Sequence, residues 1–338
     1  MQHVDKIYVA GHAGLLGSAL VRRLRDSGYN NLLLKSHSEL DLADAEAVRE
    51  FFSENRPRHV LMAAAKVGGI LANDKFPADF IFENLRIQTN VIHESWRSGV
   101  ERLLFLGSSC IYPRLAPQPL REEYFLGGPL EATNRAYAAA KIAGIEMVWA
   151  YNRQYGTHFL AAMPTNLYGP GDHYDSQTSH LIPAMIRKMH EAKITGCREV
   201  TIWGSGRPLR EFLYSEDAAE ACIFLLRLPQ SAFDRLAMRD NGAPLVNLGC
   251  GEDLTVRDLA ELVAEVVGVA PELVFDSSKP DGTPRKLLDT SRMVELGWQP
   301  RTSLRDGLRQ TYSDFCSHMR ELQPSGGQAA PPVTPCAS

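Results

Sequence analysis

The chain has 338 residues, enough for one large α/β domain plus a second lobe, and 36 Lys and Arg against 40 Asp and Glu leave a net charge of −4. That balance excludes a global field for gathering nucleic acid or anionic lipid, so an anionic ligand has to be gripped locally. The six cysteines, Cys110, Cys197, Cys222, Cys250, Cys316 and Cys336, form no C-x-x-C pair and no zinc spacing with the histidines, so they read as reduced thiols and no metal site is expected. From the N-terminus, apolar β-rich runs at 7–10, 32–34, 60–63, 103–107 and 159–163 are interleaved with helical patterns at 48–54, 80–97 and 136–155. Such alternation predicts a parallel sheet covered on both faces. Beyond residue 172 the rhythm loosens into a helix at 180–192, a strand at 200–203 and a turn at 204–208, with 217–228 and 245–249 returning as a helix and a strand. A helix at 256–267 and a polar loop at 279–286 follow, and the tail from 321 lacks the apolar content to pack. No uninterrupted apolar stretch approaches the roughly 20 residues of a membrane span, and residue 6 already opens a strand, so a soluble, cytoplasmic protein with no membrane partner is expected.

Two constellations carry chemistry. The first is Gly11-His12-Ala13-Gly14-Leu15-Leu16-Gly17, set between an apolar strand and an amphipathic helix, where backbone N–H groups can face a pyrophosphate. It makes the predicted sheet a Rossmann-type doubly wound one, with a smaller C-terminal α/β lobe for substrate. The boundaries read as 1–172 for the cofactor domain with return segments near 217–248, 173–216 and 249–320 for the lobe, and 321–338 as a disordered tail. The second constellation is Tyr137 and Lys141, four apart and so on one helical face, with Ser108-Ser109-Cys110 upstream after a strand. A phenol working near neutral pH needs a cation beside it, which Lys141 can supply while also holding cofactor ribose. Ser108 or Ser109 can hold the substrate oxygen that Tyr137 protonates. At the end of the second strand stand Lys35-Ser36-His37 where an NAD-selective site carries a carboxylate, which favours NADP. Asp41-Leu42-Ala43-Asp44 reads either as a neighbour of adenine or as a helix N-terminal cap.

With Ala63-Ala64-Ala65-Lys66-Val67-Gly68-Gly69-Ile70, Leu106-Gly107-Ser108-Ser109-Cys110-Ile111-Tyr112-Pro113, Pro164-Thr165-Asn166-Leu167-Tyr168-Gly169-Pro170, Trp203-Gly204-Ser205-Gly206 and the 279–286 loop added, the chain resembles the extended short-chain dehydrogenase/reductases and, more narrowly, the GDP-L-fucose synthase family. The resemblance covers about residues 4 to 318. It implies conversion of GDP-4-keto-6-deoxy-D-mannose to GDP-L-fucose by C3/C5 epimerisation, then NADPH-dependent reduction of the C4 ketone, in a homodimer. It assigns catalytic roles to Ser108, Tyr137 and Lys141, with Cys110 as base and His180 as acid of the epimerisation. It places the cofactor on 11–17, Lys35, His37, Asp41, Leu42, Leu106 through Ser109, Lys141, Pro164 through Leu167 and His180, and the GDP end on Lys188, Trp203, Arg210 and Asp281. Relatives carry basic residues where this chain has Ala13 and His37, which leaves Lys35 to recognise the 2′-phosphate. Two competing readings are a nucleotide-sugar 4-epimerase or dehydratase that recycles NAD, and a non-catalytic NADP-binding redox sensor.

Overall fold

The computed structural model describes residues 1–175, 179–238, 242–279 and 281–321, with residue 321 described by its backbone alone. The expected disordered tail beyond residue 321, Cys336 and Pro280 lie outside the described residues. The first half of the chain runs β1 (Ile7–Ala10), α1 (Leu15–Asp26), β2 (Leu32–Leu33), α2 (Ala45–Asn55), β3 (His59–Met62), α3 (Ile70–Lys75), α4 (Pro77–Arg97), β4 (Arg102–Leu106), α5 (Arg135–Tyr155), β5 (Phe159–Pro164) and β6 (Asn166–Tyr168). The second half runs α6 (Leu181–Thr195), β7 (Glu199–Trp203), β8 (Leu209–Arg210), β9 (Phe212–Tyr214), α7 (Ser215–Arg227), α8 (Gln230–Ala237), β10 (Leu245–Leu248) and β11 (Leu254–Thr255). It closes with α9 (Val256–Val267), β12 (Glu272–Asp276), β13 (Arg285–Lys286), α10 (Ser291–Glu295) and α11 (Leu304–Glu321).

Six strands form the main sheet in the order β10-β5-β4-β3-β1-β2, all parallel. Because strand side chains alternate, β1 sends Ile7 and Val9 into one apolar cluster with Leu20, Leu24 and Leu225, and Tyr8 into another with Phe51, Phe52 and Val91. Helices α1 and α7 therefore cover one face, and α2, α4 and α5 the other. The order in which successive strands are added reverses between β1 and β3, which leaves a crevice at their carboxyl ends where open α/β sheets take ligands.

A third apolar cluster is separate from these two. Ile182, Met185, Ile186 and Met189 of α6 pack there with Leu259, Ala260 and Val263 of α9 and Phe315 of α11. Small sheets surround it: β12 parallel to β7, β6 parallel to β9, and β11 and β13 flanking β8. The turn at 204–208 therefore links strands of two different sheets. No described helix is long and apolar enough to cross a membrane. Cys110, Cys222, Cys250 and Cys316 are free thiols as expected, whereas Cys197 is disulfide-bonded, which corrects the reading of all six as reduced.

Candidate functional site

The glycine run leaves β1 at Gly11, whose φ of 79° is a left-handed conformation and whose Cβ position lies 2.7 Å from the Ala64 backbone after β3. Gly17, in the first turn of α1, presses on Gly11 so closely that a Cβ there would stand 1.9 Å from the Gly11 carbonyl oxygen. Interlocking of these two glycines brings the N-terminus of α1 to the crevice. Gly14 caps the helix without any side-chain bond, so its first-turn N–H groups keep their capacity for an anion. His12 Nδ1 is buried beside them with no hydrogen-bond partner. These features fit the diphosphate of a dinucleotide. Ala13 and Gly14 are exposed, Leu15 half-buried and Leu16 buried.

At the end of β2, Lys35 Nζ lies 3.5 Å from Glu39 Oε1, and Glu39 also accepts from the Ser36 N–H and hydroxyl, which pull its pKa down to about 2. The carboxylate absent at the strand end is supplied four residues later, and sequence spacing alone hid it. His37 is exposed and 3.8 Å from Asp41 Oδ1. Asp44 accepts from the N–H groups of Glu46 and Ala47, so the cap reading holds for it, while Asp41 closes its own turn onto the Ala43 N–H. Leu42 belongs to the core.

After β4 the chain passes Gly107 and Ser108 into a single 3₁₀ turn over Ser109–Ile111. Ser108 Oγ accepts from the Cys110 N–H at 3.4 Å, and Ser109 and Cys110 are both buried. Opposite, α5 brings Tyr137 and Lys141 to the same place. Lys141 Nζ donates to the Leu106 carbonyl at 2.7 Å and lies 5.8 Å from the Tyr137 ring centre. Burial lowers Lys141 to about 8, opposed by Cys110, and pushes the Tyr137 phenol well above its ordinary value. Tyr137 thus keeps its proton and stands as a donor. Thr165 N bonds the Leu248 carbonyl and Asn166 Nδ2 the Glu211 carbonyl, fixing the segment from Pro164 to Leu167 along the same crevice.

Burial raises the Cys110 thiol, while Lys286, Ser108 and Lys141 pull it down. In the sequence Lys286 stands only as the last residue of the polar 279–286 loop. Its burial next to a thiol carries no sequence signature, since a lysine ending a polar loop is ordinarily solvated. His180 is exposed at the N-cap of α6 without a side-chain capping bond. The chain packed around it, and then His173, lower its pKa, a direction that favours the neutral ring.

The nucleotide-end residues form two groups. Lys188 Nζ donates to the Thr201 carbonyl and lies 5.3 Å from the half-exposed Trp203 ring, with Lys279 Nζ at 5.5 Å from the same ring. Arg210 Nη2 donates to the Asp281 carbonyl at 2.9 Å, and the Asp281 carboxylate accepts from the Ser205 N–H and hydroxyl at 2.7 and 2.8 Å. These bonds pin Asp281 between Ser205 and Arg210 of β8.

Residues 7–236 match the family model described as NAD dependent epimerase/dehydratase family. GDP-L-fucose synthase 1 of Arabidopsis thaliana is 55% identical over 93% of this chain and 94% of its own length. GDP-L-fucose synthase of Escherichia coli K12 is 49% identical over 92% and 96%. The crystal structure of a GDP-L-fucose synthetase from Naegleria fowleri bound to NADP superposes with a TM-score of 0.82 at 25% identity, covering 95% of this chain and 96% of that one. The interlocked glycines, the Tyr137–Lys141 face and these likenesses agree, and the chain belongs to the NAD dependent epimerase/dehydratase family and, within it, to the GDP-L-fucose synthases.

Proposed function

We propose that the chain converts GDP-4-keto-6-deoxy-D-mannose to GDP-L-fucose by epimerising C3 and C5 and reducing the C4 ketone with NADPH. The observation that supports this reading is a buried thiol, Cys110, two residues after Ser108 and near enough to Tyr137 and Lys141 to act on both electrostatically. A plain reductase needs no such thiol. When bound, NADPH supplies a hydride to C4. Its diphosphate would lie on the N–H groups of 11–17, its ribose on Lys141, its 2′-phosphate on Lys35, and the rest along Asp41, Leu42, Leu106 to Ser109, Pro164 to Leu167 and His180. The GDP end of the substrate would take Lys188, Trp203 and Arg210, with Asp281 holding the loop that positions Arg210.

The C4 ketone serves both stages. It acidifies the protons on C3 and C5, and the hydroxyls of Ser108 and Tyr137 stabilise the enolate oxygen as Cys110 Sγ takes a proton from one face of the sugar. His180, whose lowered pKa makes its ring a stronger acid once protonated, returns a proton on the other face. After both inversions Tyr137 gives its phenolic proton to the C4 oxygen, and the Lys141 ammonium offsets the charge left behind. The cofactor domain would then comprise 1–172 with returns near 217–248, and the substrate lobe 173–216 and 249–320, a division supported by the separate third cluster.

A homodimer and a cytoplasmic setting belong to the same proposal. Stacked Trp96 and Tyr155, with half-exposed Trp149, give α4 and α5 an aromatic face suited to a second copy, and sedimentation velocity tests it. The cytoplasmic setting rests on family likeness and not on thiol status, since Cys197 is disulfide-bonded beside four free thiols, and cell fractionation tests it. The function itself is tested by Cys110→Ser in deuterated buffer: solvent exchange at C3 and C5 is expected to vanish while NADPH binding persists. Unchanged exchange would remove Cys110 as the base.

A further inference from the structure

Four cations stand around the Cys110 pocket, and three of them are committed elsewhere. Lys141 donates to the Leu106 carbonyl at 2.7 Å. Arg285 binds both oxygens of Asp253, and Arg114 pairs with Glu131 at 3.1 Å. The side-chain ammonium of Lys286, which lines the same small cavity as Cys110 and Glu131, makes no hydrogen bond or ion pair among the described residues. Yet its backbone is held on every side. It lies opposite Arg210 in the β13–β8 pairing, Leu287 N donates to Gln118 Oε1, and Leu288 N donates to the fully buried Glu211 carboxylate at 2.9 Å. A cation so firmly placed, half-buried and left without a partner, costs stability unless a charge forms beside it.

We propose that the Lys286 ammonium is the counter-charge of the Cys110 thiolate, a positioning residue that readies the thiol to abstract a proton. The proposal rests on Cys110 being the base. Around the thiol stand Lys286 from β13, Lys141 and the Tyr137 phenol from α5, and the Ser108 hydroxyl from its own turn; burial and then Arg210 lower the Lys286 pKa, while Cys110 first and Glu131 after it hold the ammonium charged. Lys286 is the strongest of the influences that favour the ionised sulfur. Glu131, already paired with Arg114, is the only carboxylate that the cavity lining contains.

The test reads the thiol without the reaction. Iodoacetamide labelling of Cys110 is followed by peptide mass spectrometry from pH 5.5 to 10 in the full-length protein, Lys286→Met and Lys286→Arg, each checked by thermal melting. Lys286→Met is expected to label about tenfold more slowly near pH 7.5, with its profile displaced to higher pH, and Lys286→Arg to stay within threefold of the parent. If Met fails to fold, Lys286→Gln takes its place. Coincident profiles overturn the proposal, as does an equal displacement in Met and Arg, which marks a structural effect. A tenfold rise in KM with unchanged labelling also overturns it and makes Lys286 a substrate ligand. Should labelling shift as expected while Cys110→Ser retains exchange, the counter-charge stands and the base assignment falls.

Discussion

Gly17→Ala is the sharpest perturbation of the cofactor cradle. Its added Cβ would stand 1.9 Å from the Gly11 carbonyl oxygen and 2.8 Å from His12 Cα, where ordinary contact begins at 3.4 Å. Both obstacles are backbone, so no side chain can swing aside. Helix α1 or the loop must retreat by about 1.5 Å, at an overpacking cost of about 1–3 kcal/mol. The same retreat draws the first-turn N–H groups out of reach of a diphosphate, and losing one charge-assisted hydrogen bond costs about 1.5–3 kcal/mol. The overpacking cost falls on stability, and the lost bond alone, about 1.5–3 kcal/mol, corresponds to roughly a ten- to hundredfold rise in the Kd for NADPH. Titration by quenching of protein fluorescence measures it, with a melt recording the change in stability. A Kd within threefold of the parent would refute the claim that Gly17 sets the distance between helix and loop.

Tyr137→Phe should lower ketone reduction by about 10²- to 10⁴-fold, because it removes the proton donor, while NADPH binding stays within a fewfold; stopped-flow at 340 nm separates the two, and near-parental turnover would revive the sensor reading. Glu39→Gln frees Lys35 from its carboxylate partner and should raise the NADPH-over-NADH ratio of kcat/KM severalfold; a falling ratio would show that Glu39 orients Lys35 toward the phosphate. His59, fully buried with Nε2 at 3.2 Å from Asp5 Oδ2, is pushed below its ordinary value by burial, with Asp5 and Glu101 pulling the other way. Its folded value lies below its unfolded value of about 6.5, so the unfolded chain takes the proton first, and this contribution is full above pH 6.5 and lost as pH falls through the folded value. Melting curves from pH 8 to pH 5 should therefore decline less steeply for His59→Gln, and equal slopes would exclude His59 as the cause.

The main sheet was legible because its strands are apolar runs whose flanking helices carry periodic faces, and observed ends differ from expectation by a residue or a few. That Tyr137 and Lys141 share one helical face was legible from their spacing, while a role for them needed the glycine run and Ser108-Ser109 beside it. The second strand was harder: Leu32–Leu33 is only two residues, and the residue that faces Lys35 is Glu39, brought back by a turn whose bonds to Ser36 no linear spacing announces. Gly204-Ser205-Gly206 read only as part of a turn, yet β7 and β8 belong to different sheets and the connection is fixed by Asp281 from 76 residues away. Lys286 was invisible as a site residue for the same reason, since its environment is made by β8, Glu211 and Cys110, all remote in sequence.

The central claim is that one ketone supports two inversions and then a reduction in one site. Incubating the purified protein with GDP-4-keto-6-deoxy-D-mannose and NADPH in deuterium oxide, with product analysed by proton NMR and absorbance followed at 340 nm, tests it directly. The account predicts NADPH oxidation matched by GDP-L-fucose carrying deuterium at C3 and C5. A product reduced at C4 with protium retained at both carbons, or no oxidation at all, would contradict it.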